Sequence, residues 1–430
     1  MTPEIKQRIE QIRRGEVPEG YQRTFLGIAP KSWGKSRIDK ICRLSSGSTP
    51  RRDAVENFAG DILWVTSGEL KRRTIEDTRE KISETAVVNS HLEIYDPGTV
   101  VIAIYGLEAA GIRGTVSIIG KQCTISQACM AFTEFKGIDN EFFYYWYLNN
   151  GQVIGLRYAQ GTKQQNLSTD IVGSFPICFP SQGEQQKIAA ILTTQDKVIE
   201  LKEKRLAEKQ RQKKYLMQQL LTGKKRLPGF SGKWIRIRIG NSHYTKIDYD
   251  SLTNNTNKDF EFEYITLENV SNGFLKETIH CTFETAPSRA RRVVHKDDIL
   301  YGTVRPNLHS HLLAGELLEG MVCSTGFCVI QCNPSHLLPY FLYSAIFLED
   351  IDRQAKRIMS GSNYPAISNS DVKNMKIDIP CNIKEQEAIT SVLSAADREI
   401  NLLRQDIEQE KQKKKALMQL LLTGIVRVKT

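Results

Sequence analysis

The sequence lacks features that mark several classes of protein. Its nine cysteines are odd in number and form no Cys-x-x-Cys pair, which argues against a disulfide framework and against a zinc ribbon or finger. The longest apolar runs, at residues 100–112 and 337–348, are shorter than the ~18 residues that a membrane helix needs. Residues 1–14 are charged and contain no apolar core of a secretion signal. We expect a cytoplasmic protein without a metal site.

Common catalytic motifs are also missing. The sequence contains no GxSxG, HExxH or GxGxxG, and no [Asn/Asp]-Pro-Pro-[Tyr/Phe] tetrapeptide of the kind found in amino-methyltransferases. Residues 29–36, APKSWGKS, imitate a phosphate-binding loop, but Pro30 and Trp33 stand where small residues are needed. Asp61, Glu69 and Lys71 imitate the carboxylate–lysine set of a nuclease. Since neither pattern recurs in the second half, we expect no catalytic residue, and a nuclease or an ATPase remains the enzymatic alternative.

Charge and composition set broad limits. Lys and Arg outnumber Asp and Glu by 59 to 49, and the net charge of +10 is compatible with nucleic acid as a partner. With 40% hydrophobic and 25% charged residues, the composition is that of an ordinary folded protein. The 430 residues allow two or three domains at roughly 150 residues per domain.

A duplication organises the chain. Residues 184–223 and 385–424 align without a gap, from a shared Glu-Gln start to the endings LMQQLLTG and LMQLLLTG. Both copies lack proline and internal glycine, and each ends at a glycine, Gly223 or Gly424. Each copy is therefore predicted to be one long helix that stops at a left-handed residue.

Apolar residues in each copy recur at steps of three and four, the spacing of a packed helical seam. We predict that the two helices pack on each other along this seam. The alternative is two separate amphipathic helices, each lying on its own domain. The lysine-rich runs at residues 209–214 and 411–415 are interpreted as solvated faces, with contact to the DNA backbone as the second reading. The predicted helix–helix interface consists of Ile188, Leu192, Ile199, Leu206, Leu216, Leu220, Ile389, Leu393, Ile400, Leu403, Ile407, Leu417 and Leu421.

The repeat extends, more weakly, into the segments that precede the helices. Trp33 aligns with Trp234, and residues 64–66 and 99–101 align with residues 264–266 and 298–300. Short β-branched and aromatic runs predict strands, and residues 142–148 and 340–347 predict helices, so one mixed α and β fold occurs twice. Residues 15–21 resemble the linker at residues 223–230, which predicts that the N-terminal segment packs near the end of the second long helix.

Polar, turn-rich segments occur at matching places in the two halves. Arg, Asn, Gln, Lys and Ser are the side chains that read base edges, and the same types hold phosphates. The candidate DNA-binding residues of the first half are Ser46, Ser48, Thr49, Arg51, Arg52, Thr66, Ser67, Lys71, Arg72, Arg73, Tyr105, Arg113, Lys163, Gln164, Gln165 and Asn166. Those of the second half are Thr266, Asn269, Arg305, Asn307, His309, Ser362, Asn363 and Tyr364.

With these features the chain resembles the specificity subunit of type I restriction-modification systems. The duplicated EQ…LLTG helices are the strongest carriers of this resemblance, which covers essentially the whole chain. GSTP…GDILWVTSGEL at residues 47–70 looks like the opening of a target-recognition domain of that family. DDILYGTVRPNL and VCSTGFCVI, within residues 297–330, look like the middle of another.

The resemblance implies an α+β architecture in which two tandem target-recognition domains are separated by two long helices. These helices would form an antiparallel coiled coil with approximate twofold symmetry. The implied boundaries are residues 1–180 for the first target-recognition domain with the N-terminal segment, 181–225 for the first spacer helix, 226–380 for the second target-recognition domain and 381–430 for the second spacer helix and C-terminus.

The resemblance also implies a role in defence against foreign DNA. Each target-recognition domain would read one half of a split, asymmetric site in double-stranded DNA, and the helices would set the gap between the halves. Methyltransferase subunits, two in number, would dock on the chain with restriction subunits. The chain itself would bind no cofactor, since S-adenosylmethionine, ATP and Mg²⁺ would belong to the partner subunits.

The residues themselves suggest a compatible geometry. A helix of about 38 residues spans roughly 57 Å. That length is enough to separate two modules by the ~34 Å of one DNA turn. Because the two halves carry different polar segments, we expect two different half-sites. Besides an enzyme, the remaining alternative is a coiled-coil assembly scaffold without a nucleic-acid role.

Overall fold

The computed structural model describes residues 2–106, 115–158, 165–247, 250–359 and 365–429. The chain divides into two compact units, the first formed by Met1–Lys202 with Asp406–Thr430 and the second by Glu203–Gln405. The boundary between the units crosses both long helices, so each helix begins in one unit and ends in the other. Both units mix strands with helices, as the sequence predicts.

The first unit consists of short strands and several helices. Its helices are α1 (Pro3–Arg13), α2 (Ile38–Ile41), α3 (Glu84–Asn89), α4 (Asn140–Tyr158), α5 (Thr169–Gly173) and the start of α6 (Gln182–Leu220). Its strands are β1 (Tyr21–Thr24), β2 (Gly27–Pro30), β3 (Gly34–Arg37), β4 (Arg43–Ser46), β5 (Ile62–Val65), β6 (Thr74–Ile75), β7 (Lys81–Ile82), β8 (Val100–Ala103), β9 (Tyr105–Gly106), β10 (Val116–Ile119), β11 (Cys123–Ile125), β12 (Cys129–Thr133), β13 (Gln165–Asn166) and β14 (Pro176–Phe179).

The second unit has a similar content. Its helices are α7 (Pro339–Ala345), α8 (Glu349–Ile358), α9 (Asn369–Asn374) and the start of α10 (Ile383–Leu421). Its strands are β15 (Trp234–Arg238), β16 (Thr245–Lys246), β17 (Glu261–Ile265), β18 (Val270–Ser271), β19 (Phe274–Leu275), β20 (Ile279–Thr282), β21 (Ala290–Val293), β22 (Ile299–Gly302), β23 (His311–Leu313), β24 (Val322–Ser324), β25 (Phe327–Cys332) and β26 (Lys376–Pro380).

The core of the first unit lies on both faces of a five-stranded sheet with the order β4-β12-β8-β10-β6. Side chains alternate along a strand, so neighbouring residues of β8 join different clusters. Val100 and Ile102 pack with Phe142 and Trp146 of α4, whereas Val101 packs with apolar residues of the second sheet, β11-β5-β7. The central strand is buried on both faces, which explains its uninterrupted apolar sequence.

The second unit repeats this arrangement. In the sheet β16-β25-β22-β23, Ile299 and Tyr301 of β22 pack with Phe341 of α7, and Leu300 packs with Ile265 of the other sheet. The pairing also recurs, because β5–β11 and β17–β24 are parallel while β8–β12 and β22–β25 are antiparallel. The prediction that one mixed fold occurs twice is confirmed.

The two long helices pack together in antiparallel fashion. In the first unit Ile188 near the start of α6 shares a core with Leu421 at the end of α10, and in the second unit Leu220 at the end of α6 shares a core with Ile389. The predicted interface is buried at Ile188, Leu192, Ile199, Leu220, Ile389, Leu393, Ile400, Ile407 and Leu421 and half-buried at Leu206, Leu216, Leu403 and Leu417. The alternative, in which each helix lies alone on its own domain, is wrong.

The ends of both long helices follow the sequence prediction. Gly223 has a φ of +67° and Gly424 a φ of +71°, the left-handed conformation that glycine adopts without a Cβ penalty. A Cβ at Gly424 would also lie 2.5 Å from the ring of Pro30. Glycine is thus required there for conformation and for close approach to the N-terminal segment.

The N-terminal segment packs against the end of α10. The Arg8 guanidinium donates to the carbonyl oxygen of Ile425 at 2.6 Å, and the Tyr21 hydroxyl donates to the carbonyl oxygen of Gly424 at 2.7 Å. The prediction made from the linker fragment at residues 15–21 is therefore confirmed. In the described part of the chain, no helix has the length and apolar character needed to span a bilayer.

Candidate nucleic-acid interface

The first unit has an open groove beside the predicted DNA-binding segments. The groove encloses about 580 Å³. We call it the first groove, and its lining residues are Ser46, Gly47, Ile104, Tyr105, Gln127, Leu167, Ser168, Thr169 and Ile171. Two predicted residues, Ser46 and Tyr105, are thus brought together from segments that lie far apart in the sequence. Gln127 is an addition that the sequence analysis missed.

The GSTP segment is pinned against the turn between β11 and β12. A Cβ at Gly47 would lie 1.9 Å from the carbonyl oxygen of Ile125, so only glycine permits this approach. The amide of Ser48 donates to the same carbonyl at 3.3 Å, and the Trp64 indole donates to the carbonyl of Ser48 at 3.2 Å. The Thr49 hydroxyl donates to the side-chain oxygen of Gln127. Together these contacts hold the segment in one conformation beside the first groove.

Exposed cations flank this segment. Arg51 pairs with Asp53 at 2.7 Å, and Arg52 pairs with Glu80 while its guanidinium lies over Trp64. Exposed pairs of this kind contribute little to stability, so these guanidinium groups can exchange their partners for phosphates at small cost. Lys71 and Arg72 are exposed as well, and Ser67 lies in the 3₁₀ turn Ser67–Glu69.

Arg73 has a different environment. Its guanidinium contacts the carboxylate of Glu141, lies 3.7 Å from that of Asp196 and donates to the Tyr145 hydroxyl at 3.4 Å. Two carboxylates of the protein therefore already hold this cation, and it links the loop before β6 to α4 and α6.

In the second unit the predicted residues Arg305, Asn307 and His309 lie on one tight turn. Arg305 (φ +48°) and His309 (φ +52°) are both left-handed, a conformation uncommon outside glycine, and Pro306–Leu308 between them form a 3₁₀ turn. Arg305 and Asn307 are exposed. The His309 ring is half-buried, and its Nε2 lies 2.9 Å from the carboxylate of Asp352. We call residues 305–309 the Arg305 turn.

Each unit places the same two segments side by side. In the first unit Tyr105 pairs with Asn166, and in the second Val304 forms a bridge with Ala366. The amide of Arg305 donates to the carbonyl of Pro365 at 2.7 Å, which joins the Arg305 turn to the segment after residue 364. Segments that are distant in sequence therefore pair at equivalent places in both units.

Some predicted residues have other positions. Thr66 caps the turn that starts at Ser67, because its amide and hydroxyl both bond to the Glu69 carboxylate. Thr266 accepts from the amide of Asn269 at 3.2 Å in the corresponding loop of the second unit. Gln165 and Asn166 form β13, of which only the backbone is described. The predicted residues Arg113, Lys163, Gln164, Ser362, Asn363 and Tyr364 lie outside the described residues.

Two matching junctions tie the long helices to the globular parts. In the first unit the Asp196 carboxylate of α6 pairs with the Lys414 ammonium of α10 at 2.6 Å. The same carboxylate accepts a hydrogen bond from the Tyr145 hydroxyl at 2.6 Å. In the second unit the Asp397 carboxylate of α10 pairs with the Lys213 ammonium of α6 at 2.5 Å and accepts a hydrogen bond from the Tyr340 hydroxyl. Burial and the neighbouring carboxylate raise the pKa of both tyrosines, so both remain hydroxyl donors.

These junctions correct the interpretation of the lysine-rich runs in part, since Arg211, Lys214, Lys411, Lys413 and Lys415 are exposed as expected. Lys213 and Lys414 are not solvated but pair with the facing helix, and Lys209 pairs with Glu399 at 2.9 Å. Lys202 adds a further contact in the first unit, where it binds Asp406 and Glu410 at 2.8 Å each. Its ammonium lowers the pKa of Glu410 to about 2. The charged faces of the helices thus contribute to their pairing.

A second duplicated contact lies where each long helix starts. Arg427 binds Glu184 at 2.7 Å in the first unit, and Arg226 binds Glu385 at 2.7 Å in the second. Both carboxylates are almost completely buried. The glutamine that follows each glutamate is fully buried, and its amide nitrogen donates to the carbonyl of Pro180 or Pro380. The shared Glu-Gln pair of the repeat thus anchors the helix start.

The enzymatic alternatives find no geometric support among the described residues. Gly34, Lys35 and Ser36 of this segment lie in β3, which pairs with β14, whereas a phosphate-binding loop would place them at the start of a helix. The carboxylate of Glu69 is occupied by the amides of Thr66 and Arg79, so it serves the turn. No group of three His, Cys, Asp or Glu side chains in the described ranges could hold a metal ion.

Four of the cysteines are core residues of strands. Cys123, Cys129, Cys323 and Cys328 lie buried in strands, and burial raises the pKa of each thiol to about 12. A thiol with such a pKa stays protonated at neutral pH and is a poor nucleophile and metal ligand. These residues therefore serve as small apolar side chains of the core.

Comparison with known families gives matches in both halves of the chain. The family described as "Type I restriction modification DNA specificity domain" matches residues 30–210 and again residues 239–412. The two matched stretches contain both copies of the paired sheets and most of α6 and α10. The duplication seen in the structure is therefore a duplication of this domain.

Two relatives from one archaeon are named specificity subunits. The type I restriction enzyme MjaIX specificity subunit of Methanocaldococcus jannaschii is 29% identical over 188 residues, which are 43% of this chain and 42% of that protein. The MjaVIII specificity subunit of the same organism is 22% identical over 423 residues, 93% of this chain and 94% of that protein. The chain thus spans less than half of the first relative and nearly all of the second.

Solved structures share the fold. The S subunit of a type I restriction-modification system from M. genitalium has a TM-score of 0.54 and 15% identity, over 90% of this chain and 96% of that one. A chain from a study of complex assembly and conformational transition of the type I R-M system has a TM-score of 0.54 and 16% identity, over 93% and 99%. At these identities the likeness concerns the fold.

Proposed function

This chain belongs to the family of type I restriction-modification DNA specificity subunits, and we propose that it binds a two-part DNA site without performing chemistry. Each globular part, at residues 1–180 and 226–380, reads one half of the site. The observation that carries this proposal is the duplication itself. Two copies of one fold carry different polar residues next to an equivalent pairing of two segments in each unit.

The loops differ in the chemistry that they offer to DNA. The first groove presents Ser46, Tyr105 and Gln127, with Arg51 and Arg52 nearby to hold phosphates. The Arg305 turn presents an arginine and an asparagine, the types that bind guanine and adenine through two hydrogen bonds. We therefore propose two half-sites of different sequence, and hence an asymmetric site.

We propose that α6 and α10 act as the ruler between the half-sites. Each is an uninterrupted helix of 39 residues, which corresponds to roughly 58 Å. Lysine–carboxylate pairs and a buried seam resist bending and sliding of one helix along the other. Inserting one heptad into both helices should lengthen the accepted gap between the half-sites. An unchanged gap, measured by binding to duplexes with different spacers, would contradict the ruler.

We propose that methyltransferase subunits dock on the long helices and that restriction subunits join them. Leu201 and Leu402 occupy equivalent positions in the repeat, and each side chain is 65% exposed. The repeat thus gives each helix an equivalent surface, which supports one docking site per helix and so two methyltransferase subunits. In this assembly S-adenosylmethionine, ATP and Mg²⁺ belong to the partner subunits.

The decisive experiment is methylome sequencing of cells with and without the gene for this chain. We expect one split methylation motif to disappear when the gene is deleted and to return when it is restored. Loss of no motif, together with equal affinity of the purified complex for all duplexes, would contradict the proposal and favour an assembly scaffold. Specific binding should exceed background by roughly 10³-fold.

A further inference from the structure

The Arg305 turn is built to hold one residue in a defined outward position. Left-handed residues other than glycine persist only when their surroundings fix them, and here they stand at both ends of the turn. Pro306, the first residue between them, is buried and has a restricted φ. The turn therefore has little freedom to adjust when a ligand arrives.

Contacts from three other segments lock this turn. The Asp352 carboxylate of α8 holds the His309 ring at 2.9 Å, and the Asn272 amide donates to the His309 carbonyl at 3.0 Å. At the other end, the Arg305 amide donates to the carbonyl of Pro365 at 2.7 Å. His309 is therefore a positioning residue whose ring faces the protein, although the sequence analysis proposed it as a DNA contact.

The large apolar residue that the fixed Arg305 turn exposes is Leu308. It is 56% exposed, and Arg305 and Asn307 of the same turn are exposed as well. A large apolar side chain that shares a rigid turn with an exposed arginine and an exposed asparagine offers a surface suited to a ligand with polar edges and one apolar group. In the major groove of DNA that apolar group is the 5-methyl group of thymine.

We propose that Leu308 contacts the 5-methyl group of a thymine in the second half-site, so that this residue contributes to sequence specificity. The inference rests on the proposed function, since it assigns one contact within the proposed DNA site. Arg305 and Asn307 supply the neighbouring hydrogen bonds, and Asp352 keeps the turn in place through His309.

Replacing thymine by uracil in synthetic duplexes tests this contact, because it removes only the methyl group. Affinity is measured for the complex of this chain with methyltransferase subunits. The duplexes carry the motif obtained from the methylome, and each thymine of the second half-site is replaced by uracil in turn. We expect one position at which uracil weakens binding about fivefold. Leu308→Ala should weaken binding to the thymine duplex by a similar factor and should cause no further loss on that uracil duplex.

Leu317→Ala is the matched control. Leu317 lies in the other 3₁₀ turn of this region, Glu316–Leu318, is 90% exposed and has two glutamates, Glu316 and Glu319, close to it in sequence. Because acidic neighbours disfavour DNA, this variant should bind both duplexes as the unchanged protein does. Equal behaviour of the two leucine variants would overturn the proposal.

Other outcomes also overturn it, and they separate it from the proposed function. A second half-site without any T·A pair, or one in which uracil is tolerated at every position, excludes the methyl contact while specific binding stands. Equal weakening on all sequences by Leu308→Ala would mean a contact with the DNA backbone, and loss of the methyltransferase subunits would mean a protein contact. Absence of any preference over a scrambled duplex would instead contradict the proposed function.

Discussion

The two units share a scaffold but differ where their strands meet solvent. The turn between β11 and β12 carries Gln127, which lines the first groove. The corresponding turn between β24 and β25 carries Gly326, where a Cβ would lie 2.5 Å from the Leu267 side chain. The second unit exposes Arg305 and Asn307 on the Arg305 turn. The packing of the sheets is thus the same in both units, whereas the surface chemistry differs.

This difference separates the positions that core packing restricts from the positions that it leaves variable. The strands must present apolar residues on both faces in either unit, so their sequences stay similar in kind. At the tip of the turn the exposed Gln127 can be exchanged for a glycine as long as a neighbour fills the space. We infer that a half-site can be changed by altering turns without disturbing the scaffold, and four predictions test the comparison.

The duplicated anchors at the helix starts should produce the largest effect. Glu385→Ala should lower the free energy of unfolding by about 1–3 kcal/mol, because it removes a buried carboxylate that binds the partly exposed Arg226. Glu184→Ala should cause a similar loss if the two anchors are equivalent. Thermal unfolding measures both. Glu387→Ala, an exposed neighbour, is the control, and a loss as large as that of Glu385→Ala would show that burial is not the cause.

The Arg305 turn should affect only one half-site. Arg305→Ala should weaken binding by about 1–3 kcal/mol on duplexes that carry the intact second half-site, because a base contact is lost. Preference at the first half-site should remain. Affinity measurements on duplexes with either half-site scrambled check this. Equal weakening on every duplex would instead assign Arg305 to a phosphate.

Gln127 should have the converse effect. Gln127→Ala should weaken binding through the first half-site by about 1 kcal/mol, and Gln127→Glu should shift the preferred base from adenine towards cytosine, whose amino group donates to a carboxylate. Base-by-base binding competition detects the shift. Gln122→Ala is the control, since Gln122 lies at a different turn, between β10 and β11, and its amide donates a hydrogen bond to the Asp96 carboxylate. An unchanged preference in Gln127→Glu would contradict base reading.

The smallest effect concerns pH. Hydrogen bonds to Glu319 and Asp250 raise the pKa of His295 in the second unit, whereas the first unit has the sequence DPGT at the corresponding turn. Because the pKa is raised, the contribution of His295 to the free energy of unfolding is fully present below about pH 6.5 and is lost as pH rises through the pKa of the folded state. Because the ring is partly exposed, we expect less than about 1 kcal/mol.

Unfolding measurements at pH 5.5 and pH 8.5 on the unchanged protein and His295→Gln check this. The difference in stability between the two proteins should be larger at pH 5.5 than at pH 8.5. A difference that does not depend on pH would show that protonation of His295 is not the cause. His243→Gln, an exposed histidine of the same unit, is the control for a general effect of removing an imidazole.

Much of the architecture could be predicted because its signals are local. The steps of three and four between Ile188 and Leu220 mark one apolar face of a helix, whatever packs against it. The glycine stops and the buried strand at residues 100–103 were also readable from short windows. The repeat added a long-range statement, namely that both halves share one fold. The equivalence of Asp196 with Asp397 was likewise visible, although their partners were not.

The sequence by itself determined the two long helices, their seam, the duplication and the polar character of the loops. Only the tertiary structure decided which charged side chains remain available. In the sequence Arg73 looked like its neighbour Arg72, and His309 looked like the nearby Asn307. In the fold, carboxylates more than 40 residues away along the chain bind Arg73 and His309. A helical period records which face is apolar, but the partner of a charged group depends on which distant segments the fold brings within hydrogen-bonding distance.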